Sequence, residues 1–136
     1  MIDASVLVKW YVQEILSDKA LVLRDRHVNG ELQLAAPSLI TYETFNALKY
    51  TDLFSLSDLK NIATFIQIYG LSLYEMEGRV AELGLEASEK DDLTVYDGSY
   101  VGLAMNLGAV LVSADQKLID RLSGDYAKLV KHLKMT

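Results

Sequence analysis

The chain has 136 residues, 51% of them apolar, and carries 13 Lys and Arg against 19 Asp and Glu for a formal charge of −6. That length suits one domain, residues 1–136, around a single core. The absence of cysteine, with only two histidines, excludes disulfides, thiolate nucleophiles and the common zinc ligand sets.

Met1 to Ala4 reads as the stub of a strand. SVLVKWYV after it has the spacing of a short amphipathic helix with Val6 and Trp10 inward, which sets Asp3 at a strand-to-helix junction. Ser17 and Asp18 can cap a helix to about His27 that ends at Asn29-Gly30, and Leu32 to Ala36 is a candidate buried strand. Pro37 and Ser38 open a helix over SLITYETFNALKYTD, because proline suits the first turn and serine can accept from its orphan amides. Leu39, Ile40, Ala47 and Tyr50 define the apolar face of that helix, with Glu43 in its middle and Asn46 one turn away. A helix from Leu56 to Tyr69 stopped by Gly70, a strand from Leu71 to Tyr74 and a helix from Met76 to Ala87 follow, with residues 89–92 as a polar link. A helix from Leu93 then stops at Gly108, a buried strand runs from Ala109 to Ser113, and Asp115 stands just past the strand's end. Within this helix Asp97 interrupts an apolar stripe made by Leu93, Val101 and Ala104. A helix to Leu122 and a strand from Leu129 to His132 close the chain.

No apolar run approaches the roughly 18 residues of a membrane span. MIDASVLVKW also lacks the basic flank and cleavage pattern of a signal peptide, so a cytoplasmic location with no membrane contact is expected. The acidic balance argues against a protein that grips nucleic acid by clustered Lys and Arg. It does not argue against one whose acids gather into a site that cations neutralise.

Short apolar runs alternating with helices imply an α/β fold with a mainly parallel sheet covered by helices. In such sheets the binding crevice forms at the carboxyl ends of the strands. Asp3 and Asp115 fall at such ends, and Glu43 and Asp97 sit on helices that follow loops from them. An uncompensated acid on an apolar face is costly or must protonate, and carboxylates that share a crevice repel until cations intervene. An all-oxygen donor set suits Mg²⁺ or Mn²⁺, which keep several waters and leave positions for phosphate oxygens.

The segments DASVLVKW, APSLITYETFNAL, TVYDGSYVGLA and LVSAD, in this order and at these separations, resemble the PIN domain, in particular the VapC-type toxins of toxin–antitoxin pairs. The resemblance covers nearly the whole chain and implies a three-layer α/β/α sandwich with a mainly parallel central sheet. It makes Asp3, Glu43, Asp97 and Asp115 the acidic metal site, and it offers Ser5, Asn46 and Ser113 as accessory residues. It further implies Mg²⁺- or Mn²⁺-dependent cleavage of single-stranded RNA, a homodimer, and inhibition by a small cognate antitoxin protein. Members of the family usually carry a few more strand residues before the first aspartate than Met1 and Ile2, and alanine is commoner where Gly98 and Gly102 stand. Close backbone packing is the expected reason for these glycines.

Plainer readings stand beside these. Asp3 and Asp115 could each simply cap a helix, Asp91 and Asp92 suit a helix start, and the serines could satisfy local backbone groups. Trp10 and the tyrosines at helical spacing are expected in the core rather than against RNA bases, and Lys128, Lys131 and Lys134 on a solvated face. His27 and His132 read as surface or partly buried residues. Lys9 and Lys117 are candidate phosphate contacts by their closeness to two of the acids. The competing functions are a housekeeping RNA-processing nuclease of the same fold and a non-catalytic metal-binding module. In the latter class a D-x-S-x-S adhesion pattern fails at Leu7.

Overall fold

Very few extended residues hold the layers of this fold together. In the computed structural model, which describes residues 1–136, β1 (Ala35–Pro37) pairs in parallel with β2 (Ser72–Tyr74), and β3 (Leu111–Ser113) pairs in parallel with β4 (Val130–His132). Met1 and Ile2 lace the two pairs together. The Ile2 amide donates to the Ala35 carbonyl at 3.2 Å, the Val112 amide donates to the Met1 carbonyl at 2.9 Å, and Ile2 bridges Val112 in parallel. The expected strand stub is thus the central rung of a layer ordered β2, β1, residues 1–2, β3, β4. Parallel neighbours require crossover connections, and helices supply them. The result is a helix-rich α/β fold with parallel strands. No helix is long and apolar enough to cross a membrane.

The first helix, α1 (Ala4–Leu7), begins directly after the central rung and tightens into a 3₁₀ turn over Val8–Trp10, with Val6, Leu7 and Trp10 buried. Three helices follow, α2 (Ser17–Val28), α3 (Leu39–Tyr50) and α4 (Leu56–Tyr69). The start of α4 is a reciprocal cap in which the Ser55 hydroxyl accepts from the Asp58 amide at 3.0 Å and the Asp58 carboxylate accepts from the Ser55 amide at 2.9 Å. Gly70, at φ +66°, ends it in the left-handed region that glycine enters at least cost. Then come α5 (Gly78–Lys90), α6 (Val95–Leu107), α7 (Gln116–Arg121) and α8 (Gly124–Leu129).

Several expectations need correction. Ser17 does not cap α2: Leu16 holds the cap position in a left-handed conformation, while the Ser17 hydroxyl donates to the Val12 carbonyl and accepts from the Glu14 amide, both at 2.9 Å. Its side chain braces the loop before the helix instead of the helix itself. The buried ridge of α3 is Ile40, Thr44 and Leu48, and Ala47 and Tyr50 face outward. Residues 89 and 90, expected in a link, belong to α5, and α8 was not anticipated. His27 is buried, accepting from the Leu34 amide on Nδ1 and donating from Nε2 to the Tyr69 carbonyl at 2.6 Å, so it ties α2 to the end of α4.

The core is one apolar cluster, and α6 runs through it with every residue from Gly98 to Ala104 buried. Here the glycines act as expected. A Cβ on Gly102 would lie 2.3 Å from the Gly84 nitrogen and 2.6 Å from its Cα, and one on Gly98 would lie 2.5 Å from the Gly84 carbonyl oxygen. The backbones of α5 and α6 touch along this seam, and no rotamer change can relieve a backbone clash. Overpacking costs about 1–3 kcal/mol, against about 1 kcal/mol regained in helix propensity. Gly102→Ala is therefore expected to lower the urea midpoint despite its better helix former. An unchanged or raised midpoint would show that the seam opens freely.

Candidate functional site

At the carboxyl ends of the central rung and β3, a cleft of about 80 Å³ is lined by Asp3, Ser5, Glu43, Asp97, Tyr100 and Asp115, closed by Ala4 and Leu118. Asp3 is buried and caps α1, its carboxylate accepting from the Val6 amide at 3.3 Å and from the Ser5 hydroxyl. Ser5 in turn accepts from the Ala114 amide at 2.8 Å, which pins the start of α1 to the loop that carries Asp115. The Asp115 carboxylate caps α7 by accepting from the Leu118 amide at 3.1 Å, and the Asp115 amide donates to the Ser113 hydroxyl at 3.0 Å. Asp97 stands in the first turn of α6, where its amide donates to the Thr94 hydroxyl at 3.1 Å. Glu43, from α3, accepts from the Tyr100 hydroxyl at 2.7 Å.

Burial and like charge push the proton affinities of this set upward. Desolvation raises the Asp3 pKa to about 6, against the lowering effect of the Ser113 and Ser5 hydroxyls and the Val6 amide, with the Asp115 charge adding to the rise. Glu43 is raised by burial first, opposed by the Tyr100 hydroxyl and reinforced by Asp97. Asp97 is raised by burial and then by Asp115, while Thr94 and the Arg121 charge work the other way. Tyr100 is pushed far above its ordinary value by burial and by Glu43, so it stays a hydrogen-bond donor at any working pH.

All four acids singled out in the sequence therefore meet in one cleft. Of the accessory candidates, Ser5 lines it, Ser113 lies fully buried behind it and orients the Asp115 loop, and Asn46 is exposed and outside it. The apolar face first assigned around Glu43 is not the buried one; the residue sits beside the Ile40–Thr44–Leu48 ridge and points along the cleft edge. Lys9 is committed to Glu14 at 2.8 Å, and Lys117 is exposed and not on the cleft wall. The cation whose charge reaches Asp97 is Arg121, at the end of α7. Tyr100 was missed, although its place three residues after Asp97 puts both on one side of α6. Tyr100→Phe is expected to leave Glu43 without its donor, raise its proton affinity further, and move the acid limb of any pH–rate profile toward higher pH. An unmoved limb would separate the two residues functionally.

Whether a divalent ion suits these residues can be judged from the donor set. Four carboxylates and a hydroxyl, with no thiol or imidazole, match a hard cation in kind. In spacing the set is open, since no three of the acids stand close enough to hold an ion together. The cause is visible in their other engagements: Asp3 and Asp115 are turned to helix caps and Glu43 to Tyr100.

No curated protein matches the chain. Among solved structures it is similar to the crystal structure of PAE2754 from Pyrobaculum aerophilum, with 25% identity and a TM-score of 0.62 over 98% of this chain and 90% of that one. The family model of the PIN domain matches residues 1–124. With its parallel strands, its flanking helices and its acids at the strand ends, the chain belongs to the PIN domain family, whose members are generally nucleases and typically use divalent metal ions.

Proposed function

We propose that this chain is a Mg²⁺- or Mn²⁺-dependent endoribonuclease that hydrolyses single-stranded RNA, and that it is the toxin of a toxin–antitoxin pair. The observation that carries the reading is the convergence of Asp3, Glu43, Asp97 and Asp115, from four separate parts of the chain, on one small cleft. These four are the donors that would hold the ion, with Asp3, Glu43 and Asp115 turning to it from the caps and the tyrosine that engage them. A bound divalent cation supplies a more acidic water and stabilises charge on the phosphoryl oxygens as the P–O bond breaks. Ser5 keeps Asp3 and the Asp115 loop in fixed relation, and Tyr100 holds Glu43 at the cleft edge.

The partner half of the reading has a physical basis as well. Phe65 and Ile68, three residues apart on one side of α4, are 53% and 71% exposed, an apolar patch suited to a second copy or to a small antitoxin. An RNA target implies the cytoplasm. The decisive experiment is digestion of single-stranded RNA with and without Mn²⁺, with Asp97→Asn beside the wild type. Cleavage that needs no metal, or no cleavage at all, would overturn the reading. Growth arrest on expression, relieved by a small protein encoded beside it, separates the toxin role from RNA maturation.

A further inference from the structure

A second cavity, of about 270 Å³, shares its walls with the acid cleft. One wall is α3, where Leu39 and Tyr42 line the cavity while the next residue, Glu43, lines the cleft; the other is α6, where Tyr96 and Ser99 line the cavity while Asp97 and Tyr100 line the cleft. Successive helical residues point about 100° apart, so the same two helices present acids to one opening and aromatic rings to the next. Tyr42 and Tyr96 are 75% and 63% exposed, and Tyr74 also lines the cavity. These tyrosines were expected in the core, as Tyr100 and Tyr126 are, and they are not. No hydrogen bond holds their hydroxyls.

Resting on the nuclease reading above, we infer that this cavity stacks an unpaired base of the RNA strand whose backbone lies in the acid cleft. Two features select a base as the occupant. The cavity wall is mainly apolar, and its single charged residue is Glu75, which repels a phosphate. The chain carries a charge of −6 and no Lys or Arg lines either opening, so phosphate neutralisation by basic side chains does not supply affinity at these walls. Stacking on aromatic rings, worth about 1–3 kcal/mol per base, supplies affinity that does not depend on charge.

The test uses short single-stranded RNA carrying 2-aminopurine at each position in turn, with wild-type protein, Tyr42→Ala and Tyr96→Ala, all in Mn²⁺. In the wild type one position beside the cleaved bond shows fluorescence quenching. Each substitution removes the quench and raises KM about tenfold, and an abasic nucleotide at that position raises the wild-type KM as much without affecting the variants further. Cleavage by wild type with no quenched position, or with KM unmoved by both substitutions, overturns the base pocket and leaves the nuclease intact. A dimer turned into a monomer at constant KM assigns the cavity to a second copy and equally overturns it. Loss of all cleavage by the wild type strikes the nuclease reading itself, and the pocket with it.

Discussion

Asp97→Asn lowers Mn²⁺-dependent cleavage of single-stranded RNA by about a thousandfold or more and leaves the fold standing. The size follows from the job assigned to the carboxylate. Losing one anionic ligand removes several kcal/mol of charge stabilisation, and each ~1.4 kcal/mol is a factor of ten in rate. The fold is spared because the bond that starts α6 runs from the Asp97 amide to the Thr94 hydroxyl, and asparagine keeps that amide. Loss of a negative charge in the first turn costs about 0.3–1 kcal/mol of dipole interaction. Relief of the burial of charge and of the Asp115 repulsion that raise the Asp97 pKa works in the opposite direction. A gel assay paired with a circular-dichroism melt separates the two effects. Undiminished cleavage by a folded Asp97→Asn protein would remove Asp97 from the site.

Where the sequence could be read correctly, a local rule and the tertiary structure agreed. The stretch from Leu93 to Asp115 folds nearly as expected because its signals reinforce one another, an apolar helix, Gly108 at φ +60° and then a buried strand, although Thr94 caps the helix and starts it at Val95 instead of Leu93. The Gly70 stop marked the end of α4 in the same way, and its expected start at Leu56 is secured by the Ser55 and Asp58 cap that the structure adds. Glu43 was found for a partly mistaken reason. Two apolar faces can be drawn on α3, and periodicity alone chose the one through Ala47 and Tyr50, whereas packing against α1 buries Thr44. Its hydroxyl, fully buried and without a partner, makes that face look polar in sequence. Tyr100 escaped notice because a buried tyrosine in an apolar helix looks like core until its hydroxyl is seen to meet Glu43. The strands, three residues each, are too short for any alternation to mark their ends.

Asp3→Asn is expected to stabilise the metal-free protein at pH 7.5 while destroying metal binding. Asparagine caps a helix as well as aspartate does, so the acceptor for the Val6 amide survives. What disappears is a buried charge. With the folded pKa of Asp3 raised from its ordinary 3.8 to about 6, the ionised form is disfavoured in the native state. At ~1.4 kcal/mol per unit that shift amounts to roughly 3 kcal/mol, or about 10 °C in melting temperature. The sign is that of a raised carboxylate: the favourable contribution is complete below the unfolded pKa and is lost as pH rises through about 6. Metal-free wild type should therefore lose stability between about pH 4 and pH 7 relative to Asp3→Asn, and the two should converge at the acid end. Mn²⁺ reverses the order, because an ion bound only by the native state adds stability in proportion to its occupancy. Its affinity for wild type should weaken below about pH 6, where protons compete for Asp3. Thermal melts of both proteins across this pH range, with and without Mn²⁺, make the comparison. If metal-free Asp3→Asn melts below wild type at pH 7.5, the Ser5, Ser113 and Val6 donors outweigh burial, and Asp3 holds the fold together rather than straining it to hold an ion.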